Sequence, residues 1–119
     1  MTARELLAVI AAAPRDYQLA INEFIDDFRR ASPIERSAMI AQGTEVCGRF
    51  EGLVAAVVSA LAREVDLPAP AWVIRIASPE PFFIPATESY ALRLRLMIES
   101  PPPFRIRHIF VPANYLSRA

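Results

Sequence analysis

Residues 45–66 read EVCGRFEGLVAAVVSALAREVD. Val46, Phe50, Leu53, Val54, Val57, Val58, Leu61 and Val65 recur at helical spacing and form a wide apolar stripe. Gly48, Gly52, Ala55, Ala56, Ser59 and Ala62 keep much of the remainder small, so neighbouring helices can approach closely. The uncharged run GLVAAVVSALA, residues 52–62, is too short to span a bilayer and reads as a buried core helix. Thr44 is the expected cap and Gly43 the stop of the helix before it. Cys47 falls inside this helix as a small apolar filler.

Working outward, the preceding residues punctuate themselves as helices. Thr2 and Glu5 have capping-box spacing ahead of Leu6, Leu7, Val9 and Ile10. Pro14 interrupts, and RDYQLAINEFIDDFRR then places Tyr17, Ile21, Phe24, Ile25 and Phe28 on one face. SPIE, residues 32–35, combines a capping serine, a proline suited to the first helical position and a glutamate that can reach back. The predicted core includes Ile21, Phe24, Phe28, Phe50, Val54, Val57 and Leu61.

Beyond Leu67 the texture changes. Nine of the eleven prolines and none of the three glycines lie there. Such a segment is stiff, because proline restricts the unfolded chain and the most flexible residue is missing. PEPFFIP, residues 79–85, is expected to lack regular structure. ESYALRLRLMIES admits a strand, with Leu92, Leu94 and Leu96 alternating with Arg93 and Arg95, but a helix over about 88–99 capped by Thr87 is the preferred reading. FRIRHIFV, residues 104–111, reads as a strand, with Phe104 and Ile106 opposed to Arg105 and Arg107. The expected fold is therefore mainly α. A single domain, residues 1–119, has a helical core of four or five helices over 1–66. The proline- and arginine-rich part, 67–119, wraps it with at most a short β element.

The charge balance sharpens that division. At 54% hydrophobic and 22% charged residues the chain is globular, and its zero net charge argues against a general nucleic-acid binder. Residues 1–66 carry seven arginines against ten carboxylates, whereas 67–119 carry six against three. The first part is thus at −3 and the second at +3. Lysine is absent, so every side-chain cation is a planar guanidinium. A lone cysteine and the absence of a signal-like N-terminus make a reducing cytoplasm the expected setting, with no membrane segment.

Catalysis is disfavoured. His108 has no partner cysteine or carboxylate nearby in sequence, and no glycine follows residue 52 to build a phosphate-cradling loop. Glu23, Asp26 and Asp27 form an acidic cluster better read as a solvated face, compensated by Arg30, than as a metal site. No catalytic residue, cofactor or metal is expected. The arginines at 93, 95, 105 and 107 are the suggestive group: a solvated face, or a basic semi-rigid surface beside Trp72, Phe82, Phe83 and Phe104. Arginine mixed with aromatics is the composition of protein interface hot spots.

Several stretches also carry a resemblance: Pro70–Trp72, Glu88–Arg93, Glu99–Pro101, Phe104–Arg107, Ile109–Val111 and Ala113–Ala119, with NEFIDDFRR at 22–30. Their order resembles small bacterial proteins encoded beside nucleotidyltransferase-like proteins in toxin–antitoxin-type pairs. The resemblance implies an antitoxin-like or accessory protein that binds the neighbouring-gene product and performs no catalysis. His108 stands where those proteins more often have a small or polar residue. No helix-turn-helix pattern with a basic second helix is visible.

On this reading Arg93, Arg95, Arg105 and Arg107 face outward toward an acidic patch of the partner, while Trp72 and Phe104 anchor the segment. Replacing Arg105 and Arg107 together with alanine should then leave thermal stability nearly unchanged. The alternative is a nucleic-acid or nucleotide-binding module using the arginine-rich half. A homodimer is compatible with the small-residue central helix, and the sequence does not decide it.

Overall fold

A computed structural model describes residues 1–117; Arg118 and Ala119, which end the ANYLSRA stretch, lie outside the described residues. Side chains close the first turns of two of the early helices. Helix α1, Ala3–Ala12, starts at Thr2, whose hydroxyl accepts from the Glu5 amide while the Glu5 carboxylate accepts from the Thr2 amide. After a short 3₁₀ turn at Pro14–Asp16 comes α2, Tyr17–Arg30. Helix α3, Pro33–Ile40, repeats the reciprocal cap with Ser32 and Glu35. Both capping carboxylates are held below the usual carboxylate range, Glu5 chiefly by the Thr2 amide and Glu35 chiefly by the Ser32 hydroxyl.

Helix α4, Arg49–Glu64, is the axis of the molecule, with every residue from Gly52 to Val58 buried. It begins later than the sequence implies. Gly48 is the N-cap, and the Thr44 hydroxyl instead accepts from the Val46 amide in the loop before it. Val46 is therefore exposed, and Cys47 lies in that loop with its thiol donating to the Arg75 carbonyl at 3.3 Å. Ile21, Phe24, Phe28, Val54, Val57 and Leu61 are fully buried. Each contributes about 2 kcal/mol by leaving water. Phe50 is only half-buried, because it sits at the edge of α4 among Tyr17 and Phe82 with Arg49 over its ring.

The small face of α4 is covered by extended chain, and Gly52 shows how closely. A Cβ there would sit 2.6 Å from the Ser78 nitrogen and 3.0 Å from the Ala77 carbonyl carbon. The strap that crosses it includes a 3₁₀ turn at Ala71–Arg75 and the strand β1, Phe82–Phe83. Helix α5, Tyr90–Glu99, and the four-residue α6, Pro102–Arg105, follow, and β2, Ile109–Phe110, returns beside β1. The strands pair in parallel, Phe82 with Ile109 and Phe83 with Phe110; α5 and α6 form the crossover that a parallel pair needs.

A strand inside PEPFFIP corrects the expectation of none. The amides of Phe82 and Ile84 donate to the carbonyls of His108 and Phe110, each at 2.9 Å. The ladder thus uses the amides of even-numbered residues, while Pro79, Pro81 and Pro85 fall on odd positions. Proline costs nothing where its missing N–H would point away from the neighbouring strand.

FRIRHIFV is likewise not one strand. Pro101–Pro103 start a helical turn, so Phe104 and Arg107 share the inner side while Arg105 and Ile106 are exposed. His108 then takes the left-handed conformation, φ 63°, and only Ile109–Phe110 extend into the sheet. The fold is mainly α with one two-stranded sheet, and six α-helices stand among the described residues. Val73, Ile76, Ile84, Phe104, Ile109 and Val111 join the α4 residues in one core, so the wrap completes the core rather than lying over it. No described helix is long and apolar enough to cross a membrane.

Candidate functional site

Helix α5 lies on the outside of the strap and carries two of the four singled-out arginines. Its cap is Ser89, whose hydroxyl accepts from the Leu92 amide; Thr87, the expected cap, accepts from the Ser89 amide one step earlier. At the other end Ser100 is fully buried. Its amide donates to the Leu96 carbonyl and its hydroxyl accepts from the Val111 amide at 2.9 Å, tying α5 to the end of β2.

The four arginines are not brought into one patch. Arg93 donates through Nε to the Thr87 carbonyl at 2.7 Å, and its guanidinium lies 5.3 Å from the centre of the Phe83 ring. Glu88 approaches it at 3.4 Å. Arg95 points to solvent and meets Glu99 one turn on at 3.2 Å. Arg105 reaches back over the end of α5, donating to the Ser100 carbonyl at 2.7 Å and to that of Ile98 at 3.3 Å.

Arg107 overturns the outward reading. It is only 5% exposed, donating to the Val73 carbonyl through Nε and Nη2 and to the Pro103 carbonyl through Nη1 at 2.7 Å. No carboxylate is among these partners. Its positive charge is met by carbonyl dipoles of the 3₁₀ turn and of α6, and burial pulls its pKa down. The cause is the helical turn at 102–105, which converts an assumed period of two into one near 3.6. Arg107 is therefore a structural residue, and it leaves the candidate surface.

Trp72 and Phe104 dock against different neighbours. The Trp72 indole N–H donates to the Ile40 carbonyl at 2.8 Å, and its ring lies so close to Gly43 that a Cβ there would come within 2.3 Å. Phe104 is fully buried and meets Tyr115 edge-on at 5.6 Å. Burial raises the Tyr115 hydroxyl pKa well above its usual value, and that hydroxyl donates to Gln18 at 2.6 Å. Two shallow grooves of about 610 and 680 Å³ flank Trp72, sharing Thr44 and Glu45 and extending to Arg4 on one side and Ile74 on the other.

His108 is exposed with Nδ1 2.8 Å from the Ser78 carbonyl, so that nitrogen carries the proton. Asp27, from the acidic cluster, pairs with Arg30 at 2.8 Å and with the Met1 amino group at 3.6 Å. No group of His, Cys, Asp or Glu among the described residues is arranged to hold a metal. No buried side-chain nitrogen or oxygen among them lacks a hydrogen-bond partner.

The feature that sequence reading missed is apolar. Tyr90, Leu94, Met97 and Ile98 are 80%, 45%, 44% and 68% exposed and follow one another at i, i+4, i+7 and i+8. At 100° per residue they form one arc, opposite the side where Leu92 and Leu96 pack inward, and Arg93 and Arg95 border that arc on its two flanks. The signal was present as two apolar faces on one short helix, which alternation of Leu92, Leu94 and Leu96 with the arginines concealed. Compared with known proteins, the chain matches no family model, no curated sequence and no solved structure.

Proposed function

We propose that this chain is a non-catalytic, partner-binding protein of the bacterial cytoplasm. It acts as an antitoxin-like or accessory protein to a nucleotidyltransferase-like neighbour. The observation that carries the reading is the bare stripe of α5. A surface helix with apolar residues on both faces is half-covered, and a contiguous exposed apolar stripe rimmed by charge is the composition of a docking surface. The platform is rigid: Ser89 caps α5, Ser100 ties it to β2, and Arg105 holds its last carbonyls. Little ordering entropy is then lost on binding.

A nucleic-acid interface finds less support. It needs several cations directed at phosphates, and with Arg107 buried the remaining three arginines border an exposed apolar stripe that phosphates would leave uncovered.

The test is co-expression with the product of the adjacent reading frame. The wild-type chain should retain that product through purification, at moderate salt as well as low. Leu94→Ser combined with Ile98→Ser should release it with the melting temperature nearly unchanged. Retention by the double variant, or failure of the wild type to retain the product, overturns the proposal.

A further inference from the structure

Resting on that reading, we infer that the occupant of α5 is a single amphipathic helix of a different protein, apolar along one stripe and fringed with carboxylates. The stripe Tyr90, Leu94, Met97 and Ile98 has the spacing by which one helix grips another. Helix α5 has 10 residues. At about 15 Å, it offers room for roughly three turns of a partner helix.

The rim supplies the charge complementarity. Arg93 borders one flank and Arg95 the other, with side chains 42% and 72% exposed. Arg105 closes the C-terminal end beside the Ile98 carbonyl and has no carboxylate among its bonded partners. Glu88 and Glu99 are each engaged with an arginine of the same rim. With three guanidiniums against two carboxylates the rim keeps an excess of cation, left at Arg105, for a carboxylate fringe to meet, and the planar fork suits it.

A second copy of this chain fits less well. An antiparallel two-fold pair lays each flank of α5 against the same flank of its copy and a parallel one lays the Arg93 flank against the Arg95 flank, so either brings arginine toward arginine. Opposed like charges weaken such a pair, whereas an acidic helix removes the conflict.

Two synthetic helical peptides of equal length serve as probes, one patterned from leucine and glutamate and the other from leucine and lysine. Amide chemical shifts of the full chain are followed during titration. The leucine–glutamate peptide should bind and move the resonances of residues 90–98. Arg95→Glu should weaken it by about tenfold and transfer the preference to the leucine–lysine peptide. Leu94→Ser with Ile98→Ser should abolish both. Arg95 is exposed, so the charge-reversed variant keeps the test sharp even if the double variant folds poorly.

Equal binding of the two peptides, or shifts confined to another surface, would falsify the inference. So would a peptide-free dimer joined through α5, or retention on phosphatidylglycerol vesicles that depends on Leu94 and Ile98. If the neighbouring product is captured through α5 while the peptides are not discriminated, the acidic-helix chemistry fails and partner binding stands.

Discussion

The two halves of the molecule use arginine differently. Within the α1–α4 region two guanidiniums are held by carboxylates: Arg29 grips Glu64 with two bonds of 3.0 and 2.8 Å, besides donating to the Leu116 carbonyl, and Arg30 meets Asp27 at 2.8 Å. Arg4 donates to the Gln42 side chain, Arg49 lies over the rings of Phe50 and Phe82, and Arg36 closes the end of α2 on the carbonyls of Phe28 and Arg29. Beyond residue 67 carbonyls are the main targets: Thr87 for Arg93, Ser100 and Ile98 for Arg105, Val73 and Pro103 for Arg107. Nine prolines there withdraw nine amide donors while leaving every carbonyl in place. A guanidinium brings five donors to that deficit. A cation-rich segment is therefore not by itself a binding surface; its charge can be consumed in holding its own backbone.

The sharpest way to break this contrast is Arg107→Met. The stem is replaced in kind, but the carbonyls of Val73 and Pro103 lose their donors inside the core. A loss of about 3 kcal/mol is expected in urea denaturation. Arg107→Lys should recover only part of it, since a single ammonium cannot span both carbonyls as the fork does. Recovery to wild-type stability by lysine would show that charge, not donor geometry, matters there.

Gly52→Ala comes next. In an exposed helix this change stabilises by about 1 kcal/mol. Here the new methyl meets the Ser78 nitrogen, and overpacking should reverse the sign, giving a net loss of about 1–2 kcal/mol. Thermal melts check the sign.

Arg105→Ala removes donors from two carbonyls at the wet end of α5 and should cost about 1 kcal/mol. Arg95→Ala should stay within about 0.5 kcal/mol, because its bond to Glu99 is an exposed helix pair. Equal effects from the two would erase the distinction between an arginine bonded to carbonyls and one bonded to a carboxylate.

The smallest expected effect is one of pH in the helical half. Glu5 and Glu35 have lowered pKa values in the folded chain. Their contribution is thus present above the unfolded carboxylate range and lost as pH falls through the lowered folded values. Glu5→Gln with Glu35→Gln should make the melting temperature less sensitive to acidification in that window. An unchanged slope would remove the caps from the account.

The helical half was largely legible because its signals are local. Thr2 with Glu5 and Ser32 with Glu35 state their helix starts within four residues, and Phe24 and Phe28 state the buried face of α2 by spacing alone. The start of α4 was not, since Thr44 and Gly48 both suit a cap and only the loop carrying Cys47 against Arg75 selects the later one. In the wrap, the burial of Arg107 hinges on a turn begun by consecutive prolines and completed by a left-handed histidine. The bare stripe of α5 emerges only once β2 and the strap have taken the Leu92 and Leu96 side. The spacing is local in both cases, and only long-range partners decide which face is buried.

The crossing at Gly52 also bears on the order of events in folding. Residues 77 and 78 can seat only on a surface that α4 has already formed, and Ser78 must then accept a partner from far along the chain, its amide donating to the Arg107 carbonyl at 2.9 Å. Contacts between distant segments pay loop-closure entropy before they return any stability, so the strap is expected to close late. A methyl at position 52 should accordingly leave the folding rate of the chain almost untouched and accelerate its unfolding. The glycine acts as a latch on lifetime: it governs how long the closed molecule persists, and hardly at all how fast it is reached.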